Sequence, residues 1–344
     1  MNLTFRRKIL FIVLCFLLLC FILSLYWLLY MPPLETSSTK TIIIKKGMPL
    51  RKISKMLKEE GIIRNKDFFI GLATLLGKRA DIKSGEYELH TRMLPLEVLD
   101  TLVKGQVKRH LVTIPEGLTL AQIAQLLEDL SIVEKQTFLQ KASSPSFISS
   151  LGISLPLGST LEGYLFPDTY HLIKEMDPSE VIRMMVHQFN KVFGPDLVSR
   201  ASQLGISQRE VIILASIIEK ETPLSEEKPL ISAVFHNRLK RKIPLQSDPT
   251  VIYGIKDFDG NLTKEHLLRP TPYNTYLFAG LPPAPICNPG KESILAALSP
   301  ASVPYLYFVS KNDGSHYFSP DIEEHQRAVW KYQKYFKKNN LTKK

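Results

Sequence analysis

Apolar and polar positions alternate along the chain in four distinct ways. From Ile9 to Met31 no charged residue occurs, and about 23 residues rising ~1.5 Å each are enough to span a bilayer core. Arg6, Arg7 and Lys8 stand just before this run, which predicts that residues 1–8 stay cytoplasmic and that the rest is exported. The rival reading is a cleaved signal peptide. The run is longer than a usual signal core, and bulky residues from Tyr26 to Tyr30 occupy the place of a small-residue cleavage site. A single transmembrane helix over 9–31 is therefore expected, with Trp27 and Tyr30 in its outer interface belt. Residues 32–40, with Pro32, Pro33 and a Ser/Thr run, read as a linker.

Beyond the linker, residues 41–46 read as a strand, and Leu50, Ile53, Met56 and Leu57 form one helical face. The pattern then recurs. A shift of 70 residues aligns Ile44 with Ile114, Gly47 with Gly117, Leu50 with Leu120, Ile53 with Ile123 and Leu57 with Leu127. A shift of 83 aligns Tyr87 with Tyr170, Leu89 with Leu172 and Pro95 with Pro178, so the second copy is 13 residues longer. One strand–helix–helix–strand–helix unit used twice is predicted, over about 41–105 and 111–189. Chance alignment of periodic apolar residues is the alternative. The extra residues fall between Phe138 and Tyr170, the region that contains Leu161–Pro167.

The third pattern is a nearly continuous apolar helix, Val211 to Glu219. Ser207 and Glu210 form a capping box ahead of it, and Pro223 stops it. Ile212, Ala215, Ser216 and Glu219 share one face, whereas Glu221 points roughly 200° away. An acid at the edge of an apolar face is discouraged from ionising, which suits a general acid. A capped core helix whose last turn meets water explains the same pattern. A second helix is expected from near Ser225, with Leu230, Val234, Phe235 and Leu239 on one side and Lys240 to Lys242 closing it.

The fourth stretch, 244–290, is rich in Pro, Gly, Asn, Thr and Tyr and reads as a long loop region. It suits a sugar-binding cleft, although loops packed over a core explain the prolines equally well. A short helix follows at 294–298. Strands flank a hairpin turn at Asn312–Gly314, and a last basic helix is expected over 322–338. The fold class is thus α+β.

Composition narrows the chemistry. The 344 residues carry a net charge of +11, compatible with anionic lipid or an acidic polymer; the anchor argues against nucleic acid. Of three cysteines, Cys15 and Cys20 lie in the apolar run and Cys287 stands alone, so neither a disulfide framework nor a Cys-based metal site is expected. The eight histidines lack H-E-x-x-H or comparable spacing, and neither a G-x-S-x-G elbow nor a phosphate loop occurs. No metal and no cofactor are expected. His171 and His236 read as packing or surface positions. Carboxylate chemistry remains, with Glu162, Asp168, Glu219, Glu221 and Asp248 as candidates.

The segments LEGYLFPDTY (161–170), ASIIEKET (215–222), FHNRL (235–239), LQSDPTVIYG (245–254), YNTY (273–276), GLPP (280–283) and NPG (288–290) resemble the endolytic murein transglycosylases, the YceG-like or MltG family. Ser247 stands where Thr is expected, and Ala284 where Gly is usual. The resemblance implies a LysM-like subdomain at 41–110 and a catalytic domain at 111–344. It implies an enzyme held in the cytoplasmic (inner) membrane, its catalytic domain extracytoplasmic or periplasmic. It also implies cleavage of the MurNAc–GlcNAc β-1,4 bond within peptidoglycan strands, leaving 1,6-anhydroMurNAc ends and ending strand elongation, with peptidoglycan synthases as partners.

The family's catalytic acid falls on Glu219, which would serve as both acid and base, since the nucleophile is the substrate's own C6 hydroxyl. Ordinary glycosidases pair two carboxylates; here Glu221 and Asn237 are assigned supporting roles. Glu162, Tyr164, Gln246, Asp248, Tyr273 and Asn274 are expected to line the cleft. Two rivals stand beside this reading: a lysozyme-like hydrolase with Asp248 or Glu162 as second carboxylate, and a non-catalytic wall-binding scaffold.

Overall fold

The computed structural model describes residues 3–30, 38–45, 47–256 and 258–335. Helix α1 spans Leu3–Tyr30, so it begins ahead of the expected span. Met31, most of the expected linker and residues 336–338 of the expected last helix lie outside the described residues. Taking only residues whose side chains are described, which in α1 are 11–20, 22–24 and 26, no helix is long and apolar enough to cross a membrane.

The chain divides into two compact units. The first comprises Met1–Leu111 with His171–Met176, the second Val112–Tyr170 with Asp177–Lys344. In the first, β1 (Thr39–Ile44), α2 (Leu50–Glu59), α3 (Lys66–Leu75), β2 (Gly85–His90) and α4 (Pro95–Lys104) occur in that order. β1 and β2 pair antiparallel, Ile42 opposite Tyr87 and Ile44 opposite Gly85. Period-2 alternation sends Ile42 and Ile44 inward and leaves Ile43 outside. They pack with Ile53, Leu57, Phe69, Tyr87, Val98 and Leu102 in one apolar core.

The same order recurs in β3 (His110–Thr113), α5 (Leu120–Asp129), α6 (Lys135–Ala142), α7 (Pro145–Ser150), β4 (Thr169–Leu172) and α8 (Pro178–Val192). α5 begins and ends 70 residues after α2, so the sequence repeat is a repeat of structure. α7 and the 161–167 turns are what the second copy adds.

Then come α9 (Pro195–Leu204), α10 (Gln208–Glu221) and α11 (Lys228–Lys240). The capping box of α10 forms as expected: Ser207 Oγ accepts from the Glu210 amide and the Glu210 carboxylate accepts from the Ser207 amide. The expected loop region holds two short helices, α12 (Asp248–Tyr253) and α13 (Lys264–Leu267). Pro249 sits in the first turn of α12, where its missing N–H costs nothing, and Thr263 caps α13.

α14 (Lys291–Leu298) packs on α10 and α11. The hairpin β5 (Tyr307–Ser310) and β6 (His316–Ser319) closes around Asn312–Gly314. α15 (Ile322–Val329) continues in a π-helical stretch, Trp330–Tyr335. The architecture is mixed α+β, with three two-stranded ladders among the described residues.

Candidate active site

α10 delivers two acids to different surroundings. Glu219 does not meet the apolar edge expected for it. Its face of the helix is covered by residues 286–290 and α14: the Ile286 amide donates to Ser216 Oγ at 3.0 Å and the Cys287 thiol to the Ser216 carbonyl at 3.3 Å. At the end of that face, the Glu219 carboxylate accepts from Ser293 Oγ at 2.6 Å, the Gly290 amide at 3.0 Å and Lys228 Nζ at 3.3 Å. The side chains of Lys228 and Glu219 are 4% and 8% exposed, a buried ion pair. The helix face is interior because α14 needs an apolar surface to pack on. Three donors converge on the one acid at its edge. A β-carbon at residue 290 would fall 1.9 Å from the Glu116 carboxylate, so a larger residue there would turn that exposed side chain aside. Burial, with the negative charge of Glu219, raises the Glu116 carboxyl above its usual range.

Glu221, two residues on, faces a cavity of about 380 Å³. Arg238, Leu245, Gln246, Asp248, Tyr276, Tyr307, Phe308, Ile322 and His325 complete its lining. Ser247 Oγ donates to Glu221 Oε1. Burial pushes the Glu221 carboxyl up to about 7; the nearby charge of Asp248 adds to this, while the Ser247 hydrogen bond and Arg238 oppose it. Tyr276 Oη donates to Asp248 at 2.6 Å, which fixes the orientation of that carboxylate. Arg238 is itself fixed: Nε donates to the Leu306 carbonyl at 2.6 Å, and Nη1 to the Pro244 and Leu245 carbonyls and to Gln246 Oε1. The cavity therefore offers a proton-bearing carboxyl, a second carboxylate and aromatic faces within one opening.

The other expected cleft residues divide sharply. Gln246 and Asp248 line the cavity. Glu162 does not: it is 4% exposed. Its carboxylate accepts from the Leu120 amide at 2.9 Å, Asn288 Nδ2 at 3.0 Å and Tyr253 Oη at 3.1 Å. It anchors the first turn of α5, which explains why an acid belongs there. Tyr164 is buried edge-on against Phe189, and Asn274 is buried with its amide on the Leu267 and Arg269 carbonyls. Tyr273 is half-buried against the Tyr253 ring. Asn237 donates to the Val303 and Tyr305 carbonyls, bracing the approach to β5. Asp168 accepts from Gln188.

Sequence reasoning misses Arg238, Lys228 and Tyr276 as individual site residues. A signal exists for the first two. Lys228, Ile231, Phe235 and Arg238 recur at helical spacing on the inward face of α11, and a cation on such a face needs a partner.

Glu162 gives a stability expectation. Burial pushes its carboxyl from 4.5 up to about 7, against the pull of the donors that engage it. Between those values the folded protein binds the proton more tightly than the unfolded chain. Stability therefore falls as pH rises through that window and levels off above it. Glu221 is raised for the same reason, so Glu162→Gln is expected to shrink this limb without removing it. Unfolding midpoints measured across the window test this; superimposable wild-type and Glu162→Gln profiles would refute it.

With this geometry in place, the comparisons identify the class. The YceG-like family model matches residues 42–331, and the chain belongs to that family. It is 32% identical over 324 residues to the endolytic murein transglycosylase of Bacillus subtilis (strain 168), covering 90% of this chain and 89% of that one. It is 30% identical over 328 residues to the endolytic murein transglycosylase of Streptococcus pneumoniae serotype 2, covering 86% of this chain and 59% of that one. Among solved structures it matches a yceG-like protein of Listeria monocytogenes with a TM-score of 0.58 and 30% identity, over 85% of this chain and all of that one.

Proposed function

We propose that this protein is a peptidoglycan lytic transglycosylase that cleaves the MurNAc–GlcNAc β-1,4 bond inside glycan strands, with Glu221 as its acid and base. Family membership supports the activity. The observation that carries the residue assignment is the cavity, into which Glu221 brings a carboxyl with its proton held to about 7. The first acid of the motif, Glu219, is engaged by Lys228, Ser293 and Gly290 and suits a structural part better.

In this mechanism the protonated Glu221 gives its proton to the glycosidic oxygen as the C1–O bond breaks. The GlcNAc O4 leaves as a hydroxyl, and positive charge develops at C1 of MurNAc. The Glu221 carboxylate then takes the proton of the MurNAc C6 hydroxyl, whose oxygen bonds to C1 and closes the 1,6-anhydro ring. The carboxyl is restored and no water is consumed. The nucleophile is already part of the bound sugar, so the enzyme supplies position and one proton-transfer group.

Asp248 in the same cavity favours a second reading, hydrolysis by water with two carboxylates. Mass spectrometry of digested strands separates the two, because anhydro ends are lighter by one water. Anhydro ends are expected; a digest with reducing ends alone would establish the hydrolase.

The same proposal includes a membrane anchor and a wall-facing catalytic domain. Its support is the uncharged run Ile9–Met31 and the 28-residue length of α1, about 42 Å at ~1.5 Å per residue. The LysM-like part at 41–110, the termination of growing strands and contact with synthases rest on the sequence resemblance.

A further inference from the structure

Gln246 is held in an unusual way. Its backbone φ is +52°, a left-handed conformation that disfavours any side chain. Its neighbours keep it there. The Gln246 amide donates to the Thr275 carbonyl at 3.0 Å, the Ser247 amide to Thr275 Oγ1 at 3.0 Å, and Arg238 Nη1 to the Leu245 carbonyl at 3.0 Å. The side chain is fixed as well. Arg238 Nη1 donates to Gln246 Oε1 at 3.1 Å, and a guanidinium has only donors. The oxygen of the amide therefore faces Arg238, and the NH2 group is left as a donor at the cavity that Glu221 and Asp248 also line.

A fixed neutral donor calls for an acceptor on the ligand. An anionic acceptor fits poorly, because the Glu221 and Asp248 carboxyls face a single guanidinium, and Arg238 already spends Nε and Nη1 on carbonyls and on Gln246. A neutral amide carbonyl fits well. Tyr307 and Phe308 in the same lining offer apolar contact for an attached methyl. On a glycan, that combination is an acetamido group.

We propose that Gln246 is a specificity-determining residue, its amide N–H taking the acetamido carbonyl of the bound sugar. Strands that keep their N-acetyl groups are then cleaved in preference to de-N-acetylated strands. This rests on the cavity being the glycan cleft.

The test compares kcat/KM of the full-length protein on N-acetylated and de-N-acetylated glycan strands. Two variants are used, Gln246→Glu and Gln246→Gly. The first keeps the oxygen facing Arg238 and loses the N–H donor; the second loses the side chain and suits the positive φ. The wild-type preference for N-acetylated strands is expected to be about tenfold, the range of one well-placed neutral hydrogen bond. Both variants are expected to bring it to about twofold or less, with unfolding midpoints near that of the wild type. A wild-type preference that both variants retain, or a wild type without preference, overturns the role of Gln246 and leaves the transglycosylase reading standing. A wild type that cleaves neither strand overturns both.

Discussion

Replacing Glu221 with Gln is expected to slow glycan cleavage by on the order of 10²–10⁴-fold, the usual worth of a positioned acid–base group. The amide keeps the shape of the side chain and a partner for Ser247, so the unfolding midpoint should stay near the wild-type value. The same assignment fixes a pH limb. The acid must carry its proton at the start of the reaction, and burial holds that proton to about 7. The cleavage rate of the wild type is therefore expected to fall as pH rises through about 7, roughly tenfold per unit beyond it. Glu219→Gln, tested alongside, should leave that limb in place. If Glu219→Gln is the inactive variant and Glu221→Gln turns over normally, the acid role returns to Glu219.

The second large effect concerns stability. Lys228→Met leaves the buried Glu219 carboxylate without its cation, and breaking one side of a buried ion pair costs about 3–5 kcal/mol. For a protein of this size that corresponds to a drop in Tm on the order of 10 °C. Removing both charges, in Glu219→Gln with Lys228→Met, is expected to recover most of the loss, because no unpaired charge remains. Thermal unfolding of the two single variants and the pair measures the coupling. Additive losses in the double variant would show that the pair is not a unit. The two experiments separate the acids of one motif by different readouts, rate for Glu221 and stability for Glu219.

Much of this was legible along the chain. The repeat could be read because each copy buries the same strand and helix faces, so that Ile44 and Ile114, or Leu57 and Leu127, answer the same packing demand. The α10 cap was legible because Ser207 and Glu210 act over three residues. The hairpin was legible because Asn312 and Gly314 accept positive φ. Local rules suffice for all three.

Which of Glu219 and Glu221 faces the cavity was not legible. Helix periodicity correctly put them on different faces. It could not say which face α14 would cover, because that depends on a segment some 70 residues away whose Gly290 amide and Ser293 hydroxyl close on Glu219. Glu162, Tyr164 and Asn274 failed as cleft residues for the same reason. Their polar groups serve α5 and the turns around Leu267, contacts between stretches far apart in sequence or inside irregular loops. Gln246 and Asp248 line the cavity because the turn that carries them is pinned to Arg238 and Thr275.

Cys287 gives a last consequence. It is the only cysteine outside α1, it is fully buried, and its thiol donates to the Ser216 carbonyl. Burial and the nearby charge of Glu219 hold that thiol well above its ordinary pKa. The thiolate is the form that attacks disulfides and peroxides. A sulfur kept protonated beneath α10 is thus inert toward oxidants. In the wall-facing orientation proposed above, everything after α1 would meet oxidising surroundings without a thiol able to cross-link it to a neighbour.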